Sequence, residues 1–169
     1  INNNSVVMLG CFDTKAEDFG YLHNHLLKQG LKVISINTGV MDTSCSFQID
    51  FEADEVAKAS GSTLSELRNS GDRSLAVEKM GIGCANIISK LLLEGKVNGA
   101  MGMGGGGGTY IALSAMQSIP MGIPKLCVTT LAAKDLTRQI GVKDITLMPS
   151  IVDVAGLNNI SRMVIRQAA

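Results

Sequence analysis

The chain alternates short apolar runs with segments of helical periodicity, and this alternation constrains its fold more than any other feature. Short runs rich in apolar residues, bounded by turn-forming residues, are typical of buried strands. The predicted strands cover residues 6–9, 32–36, 97–103, 125–129 and 145–148. Strands that alternate with helices favour a parallel sheet. We therefore predict an α/β fold, a doubly wound, mainly parallel Rossmann-like sheet with helices on both faces.

Helical periodicity fills the intervals between these strands. Thr14 and Glu17 have capping-box spacing, so we predict that the first helix begins at Thr14 and ends before Gly30. Asp72 precedes a long apolar-periodic segment and is predicted to cap its helix. The segment 39–71 has a weaker pattern, which we interpret as a small inserted helical lobe or flap. The shorter predicted helices cover residues 56–59, 64–68, 109–118 and 157–164.

Length, charge and cysteine content exclude several classes of function. The length suits one domain, and we treat residues 1–169 as a single α/β unit. The 15 basic and 15 acidic side chains cancel without forming a basic stripe, which argues against nucleic-acid and membrane partners. The four cysteines form no C-x-x-C pair and are predicted to be reduced core thiols. With no apolar stretch of roughly 20 residues and no leader pattern, we expect a soluble cytoplasmic protein.

A run of glycines lies between the third predicted strand and the helix that follows it. The run consists of Gly104, Gly105, Gly106, Gly107 and Gly108, and Thr109 closes it. Glycines in this context can adopt positive φ and let backbone amides approach phosphate oxygens. The N-terminus of the next helix adds N–H groups and the positive end of a dipole. The run therefore predicts a phosphate-binding turn, with Thr109 either capping the helix or turning its hydroxyl to a phosphate.

The chemistry around the run narrows the class of phosphate ligand. The run lacks the Gly-Lys-Ser/Thr ending of a P-loop. It matches G-x-G-x-x-G through Gly102, Gly104 and Gly107, but a dinucleotide site needs an acidic residue about 20 positions later to hold the ribose. No Asp or Glu occurs between Lys96 and Lys134. NAD is therefore disfavoured, and ATP or another phosphate ligand remains.

Further polar residues follow predicted strands, where ligands of doubly wound sheets bind. The candidate binding side chains outside the glycine run are Asp13, Thr14, Lys15, Thr38, Arg73 and Thr130. Lys15 and Arg73 could neutralise phosphate charge, and Asp13 is a candidate ligand of Mg²⁺. Helix capping by Asp13 and Thr14, and an exposed first-turn arginine, are the structural alternatives.

No catalytic or metal-binding group emerges from the remaining residues. His23 and His25 lie two positions apart on a predicted helix, so they point in different directions and a shared metal ion is not expected. No Ser-His-Asp or Cys-His arrangement is apparent. The catalytic residues, if the protein is an enzyme, stay unassigned.

Taken together, the motifs resemble those of the N-terminal ATP-binding domain in the family of the tomato mosaic virus resistance protein and its bacterial and fungal relatives. The motifs are Asp13-Thr14-Lys15, Gly71-Asp72-Arg73, the glycine run with Thr109, Gly122-Ile123-Pro124-Lys125, and Val152-Asp153-Val154-Ala155-Gly156-Leu157-Asn158. They occur in order over essentially the whole chain.

The resemblance implies a Rossmann-like domain that binds ATP, assembles as a homodimer and precedes a C-terminal domain in a longer protein. The contacts that it implies are Asp13, Thr14, Lys15, Thr38, Arg73 and the run from Gly105 to Thr109. The family's run usually reads G-G-S-G-G-T, and Gly106 replaces its serine here. We expect a regulatory or accessory ATP-binding domain with slow hydrolysis at most. The alternatives are part of a phosphotransfer or sugar-phosphate enzyme, and a protein-interaction module.

Overall fold

The computed structural model describes residues 4–169, in which five strands alternate with helices. The strands are β1 (Ser5–Gly10), β2 (Lys32–Asn37), β3 (Gly99–Gly104), β4 (Lys125–Thr129) and β5 (Ile145–Pro149). The helices are α1 (Phe12–Lys28), α2 (Ala53–Ala59), α3 (Leu64–Ser70), α4 (Arg73–Leu93), α5 (Gly106–Met116), α6 (Thr137–Ile140) and α7 (Asn159–Ala168). All five predicted strands are confirmed, and α6 is an addition that the sequence pattern did not indicate.

The strands form one parallel sheet in the order β2-β1-β3-β4-β5. The chain builds outward from β1 to β2, then crosses back to place β3 on the other side of β1. Such a reversal leaves a crevice beyond the carboxyl ends of the two central strands, where ligands of doubly wound sheets bind. Here the switch point lies between β1 and β3.

Alternate side chains of the strands pack into two separate hydrophobic cores. Val7 and Leu9 point to the face covered by α2, α4 and α5, while Met8 points to the face covered by α1 and α7. This period of two is the geometry of a strand buried on both sides. The predicted doubly wound α/β arrangement with helices on both faces is therefore confirmed.

The two helices predicted within the segment 39–71 are present as α2 and α3. Val56 and Ala57 of α2 are fully buried in the core shared with α4, so this insertion packs onto one face of the sheet. Phe51 joins the edge of the sheet through a single parallel bridge to Ile36. None of the helices in residues 4–169 is long and apolar enough to cross a bilayer.

Four predicted helix starts are wrong. α2 begins at Ala53 rather than at residue 56, and α7 begins at Asn159 rather than at residue 157. α1 begins at Phe12 with Cys11 in the N-cap position and no side-chain cap, so the expected box between Thr14 and Glu17 does not form. α5 begins at Gly106, three residues before the predicted start, because the last glycines of the run form its first turn. Helix propensity disfavours glycine, and packing of the buried α5 overrides that preference.

Candidate functional site

A cavity of about 230 Å³ opens beyond the carboxyl ends of β1, β2 and β3, at the switch point of the sheet. We call it the switch-point cavity. The loops after these three strands and the first turns of α4 and α5 form its wall. The candidate residues that line it are Asp13, Thr14, Lys15, Thr38, Arg73, Gly105, Gly106, Gly107 and Gly108. The tertiary structure thus brings together most of the residues that the sequence singled out.

The N-terminus of α5 presents free donors to this cavity. Within residues 4–169, no acceptor is found for the N–H groups of Gly106, Gly107 or Gly108, and the N-cap residue Gly105 has no side chain to supply one. Unpaired first-turn N–H groups, together with the helix dipole, favour an anion at this position.

Space, rather than handedness, constrains Gly104 and Gly107. None of Gly104 to Gly108 has a positive φ, so that part of the sequence prediction is wrong. A Cβ on Gly107 would lie 3.3 Å from Cγ2 of Val77 and 3.5 Å from a guanidinium nitrogen of Arg73. A Cβ on Gly104 would lie 3.1 Å from the Cα of Gly108. A side chain at Gly107 would therefore crowd α4, and one at Gly104 would crowd the turn itself, whereas a Cβ on Gly106 would meet no atom within 4 Å.

Two cations and one carboxylate line the cavity. Arg73 is the first residue of α4 and is exposed, and its side chain makes no ion pair or hydrogen bond within the described part of the chain. Lys15 lines the cavity while its ammonium donates to the carbonyl oxygen of Val154 at 2.5 Å. Together with the dipole of α5, this excess of positive charge makes the site attractive to anions.

Asp13 has a structural task as well as a place in the wall. Its Oδ1 accepts from the N–H of Thr14 at 2.8 Å, and its Oδ2 accepts from the N–H of Met41 at 3.0 Å. A Cβ on Gly39 would collide with this carboxylate at 2.2 Å. Asp13 therefore ties the loop after β2 to the start of α1, and each oxygen retains a lone pair for a cation.

Cys11 and Thr38 lie at the inner end of the cavity. The Cys11 Sγ is 3.6 Å from the Oγ1 of Thr38, which is 2% exposed. Burial raises the pKa of the Cys11 thiol, so the group is protonated at neutral pH and is a poor nucleophile. Cys11 packs against the core, as its apolar neighbours in sequence predict, while its position directly after β1 also brings it to the cavity.

Apolar wall residues were also missed. They are Val40, Ala76, Val77, Met80 and Ile111. Met80 is fully buried in the core, as its place on the apolar face of α4 predicts, and it also borders the cavity. Helical periodicity identifies the first role but not the second.

Three candidate residues lie outside this cavity. Gly104 is the last residue of β3, behind the turn. Thr109 is buried as the fourth residue of α5, and its hydroxyl is 2.6 Å from that of Thr129 and 3.3 Å from the carbonyl oxygen of Gly104. Thr130 borders a second cavity of about 480 Å³, beyond the ends of β4 and β5, which Asp153 also lines.

The two histidines are separated by their contacts. His25 pairs with the carbonyl oxygen of Tyr21 through Nδ1 at 3.0 Å, whereas the ring of His23 stacks on Phe47. In residues 4–169, no three His, Cys, Asp or Glu side chains converge into a group that could hold a metal ion.

Comparison with known proteins identifies relatives of the whole described chain. The model of the "Uncharacterised protein family (UPF0261) N-terminal domain" matches residues 4–169. A UPF0261 protein of Clostridium tetani is 38% identical over 99% of this chain and 41% of its own length. A UPF0261 protein of Mesorhizobium japonicum is 34% identical over 97% of this chain and 40% of its own length.

The tomato proteins expected from the motifs are among the relatives. The ToMV resistance protein Tm-1 of Solanum lycopersicum is 31% identical over 99% of this chain and 24% of its own length. The chain thus spans about 40% of the length of the bacterial relatives named above.

Proposed function

The chain belongs to the UPF0261 family as its N-terminal domain, and we propose that this domain binds ATP through its phosphates in the switch-point cavity. The observation that carries the proposal is a group of three N–H donors, those of Gly106, Gly107 and Gly108, which have no acceptor within residues 4–169. They border a cavity that Arg73 and Lys15 also line. A phosphate oxygen accepts from such donors with charge-assisted hydrogen bonds, which are stronger than neutral ones.

The size of the cavity suits the phosphates better than a whole nucleotide. Its volume of about 230 Å³ is below the roughly 300–1,000 Å³ of pockets that enclose drug-sized ligands. An open groove between α4 and α5 adjoins it and shares Arg73, Val77, Gly106 and Gly107. Tyr110, which is 40% exposed, lines that groove. We place the nucleoside in the groove, with the base against Tyr110.

The chemistry of the site favours ATP over NAD as the ligand. It also favours binding of ATP without hydrolysis. No Asp or Glu follows the glycine run before residue 134, so a ribose-binding carboxylate is missing from the position where NAD sites have one. The Cys11 thiol is protonated, so it is not a ready base for attack by water. We propose a regulatory or accessory role toward a second domain, in a homodimer.

Calorimetric titration of the purified protein with ATP and Mg²⁺ tests the proposal. We expect saturable heat with the wild type and its loss in Gly107→Val, because the valine methyl groups would occupy the space between the turn, Val77 and Arg73. Absence of saturable heat at about 1 mM ATP, which corresponds to binding weaker than about −4 kcal/mol, would reject ATP as the ligand.

A matched pair of arginine variants distinguishes a specific contact at the site from an effect of net charge. Arg73→Ala should weaken ATP binding by roughly tenfold to a hundredfold, since a hydrogen bond to a charged group contributes about 1.5–3 kcal/mol. Arg162→Ala removes the same charge from an exposed position on α7 and should leave the affinity unchanged. Equal losses in both variants would indicate a nonspecific electrostatic effect.

A further inference from the structure

Two side chains of α1 hold the loop between β5 and α7, which we call the 150–157 loop. Lys15 donates its ammonium to the carbonyl oxygen of Val154 at 2.5 Å. One turn later, Oδ2 of Asp18 accepts from the N–H of Gly156 at 3.1 Å. The two contacts fasten positions two residues apart in the loop to the start of one helix.

The surface beneath the loop contains a buried polar atom without a hydrogen-bond partner in the described part of the chain. Asp18 is 1% exposed, yet its Oδ1 has no hydrogen-bond partner in the described part of the chain. A void of about 10 Å³ lies beside it, lined also by Ser150 and Ser161. Ile151 has a φ of 67°, which is a strained conformation for a β-branched residue. Segments with these properties open at lower free-energy cost than a packed core.

Lys15 belongs to both the loop contact and the switch-point cavity. Its backbone leaves helical geometry (φ −132°, ψ 27°), so α1 is kinked where the side chain emerges. The residue lines the cavity, while its ammonium is bound on the loop side. One cation is thus shared between a neutral carbonyl acceptor and an anion site.

We propose that an anion bound in the switch-point cavity draws Lys15 away from Val154 and thereby releases the 150–157 loop. The inference rests on the proposed function, because ATP phosphates are the anion in question. A phosphate oxygen carries negative charge and competes for an ammonium better than a peptide carbonyl does. By linkage, the contact of Lys15 with the loop opposes anion binding to the same extent that the anion opposes the contact.

Release of the 150–157 loop would also alter the second cavity. Ser150, Ile151, Val152 and Asp153 of the loop form one side of that cavity, and Thr130 lies on the other. Binding of an anion in the switch-point cavity would therefore change the shape of the second cavity. Bound nucleotide would in this way alter the surface beyond β4 and β5.

Hydrogen exchange read by mass spectrometry on the full-length protein tests this coupling. ATP with Mg²⁺, at a concentration that calorimetry shows to be saturating, should speed amide exchange in peptides covering residues 150–157 about tenfold. Lys15→Met should show the same fast exchange without nucleotide, and ATP should cause no further increase. Lys28→Met removes an exposed lysine from the last turn of α1 and should behave as wild type.

The outcomes separate this inference from the proposed function. ATP that binds without changing exchange in the 150–157 loop would overturn the coupling and leave ATP binding intact. A Lys15→Met variant with wild-type exchange would overturn it whether or not ATP binds. Complete absence of ATP binding would reject the proposed function and this inference together. A purely structural Lys15 would give fast exchange in the variant but no ATP-dependent change in the wild type.

Discussion

Lys125 begins β4 with a side chain that is fully removed from solvent, and oxygen atoms surround its ammonium. The carbonyl oxygens of Ile123 and Pro120 accept from Nζ at 2.6 and 2.9 Å. The carboxylate of Asp144 lies 2.7 Å away and also accepts from the N–H of Gly122 at 2.8 Å. A buried ammonium needs such an arrangement, because an unpaired charge in the interior is strongly destabilising.

Asp144 should make the protein acid-sensitive in a defined window. The contacts with Lys125 and Gly122 lower the pKa of Asp144 to about 2, from 3.8. A carboxyl with a depressed pKa in the folded state contributes stability that is present above the unfolded value and is lost as the pH falls toward 2. Chemical denaturation at pH 5, 4, 3 and 2 should therefore show a smaller decline for Asp144→Asn than for the wild type.

A charge-matched control accompanies this measurement. Asp153→Asn removes an equal charge from an exposed side chain that makes no ion pair or hydrogen bond in the described part of the chain, so it reports the effect of net charge alone. If both variants follow the wild-type profile, the carboxylate of Asp144 does not stabilise the fold through Lys125.

At the scale of elements, two glycines set how closely α4 approaches its neighbours. A Cβ on Gly83 would lie 1.9 Å from the carbonyl oxygen of Val56 in α2. A Cβ on Gly81 would lie 2.9 Å from the hydroxyl oxygen of Ser114 in α5. The first obstacle is backbone and cannot rotate away. The position of α2, and hence of the whole 39–71 insertion on the sheet, depends on this absence of a side chain.

Gly83→Ala should therefore destabilise the fold although alanine is the better helix former. Overpacking costs about 1–3 kcal/mol, which exceeds the gain of up to about 1 kcal/mol in helix propensity. Urea denaturation measures the difference in free energy of unfolding. Ser89→Ala, at an exposed site on the same helix, should change it by no more than about 0.5 kcal/mol. A stabilised Gly83→Ala variant would mean that α2 can shift without loss of packing.

The strands were identified because short apolar runs bounded by turn-forming residues leave a clear trace in sequence, even in β5, where no residue is buried. The start of α5 was misplaced, because Gly106 to Gly108 have low helix propensity and are held in the first turn by the strand before them and by packing against α4. The Thr14–Glu17 spacing was that of a capping box, but α1 had already begun at Phe12.

At the scale of the whole molecule, ligand binding and stability are linked. The switch-point cavity joins loops after β1, β2 and β3 to the first turns of α4 and α5, so an occupant contacts elements from both halves of the sheet. A ligand that binds only the folded state raises its stability by mass action.

ATP should accordingly raise the melting temperature. At 100 times the dissociation constant the gain is about 2.7 kcal/mol, or about 5 to 10 °C for a chain of this size. Adenosine at the same concentration should give a much smaller shift, because it lacks the groups that the α5 N-terminus and Arg73 are placed to bind. Scanning calorimetry measures both shifts in melting temperature. Equal shifts from ATP and adenosine would mean that the protein recognises the base rather than the phosphates.

The sequence alone determined the α/β class, the strands and most of the residues around the switch-point cavity, because strand periodicity and strand ends are local properties of the chain. Only the tertiary structure decided that Thr109 is buried against Thr129, that Thr130 borders a different cavity, and that Lys15 holds Val154, 139 positions away. Contacts of this kind depend on strand order and on how closely the helices pack. Neither is encoded in the neighbours of a residue along the chain.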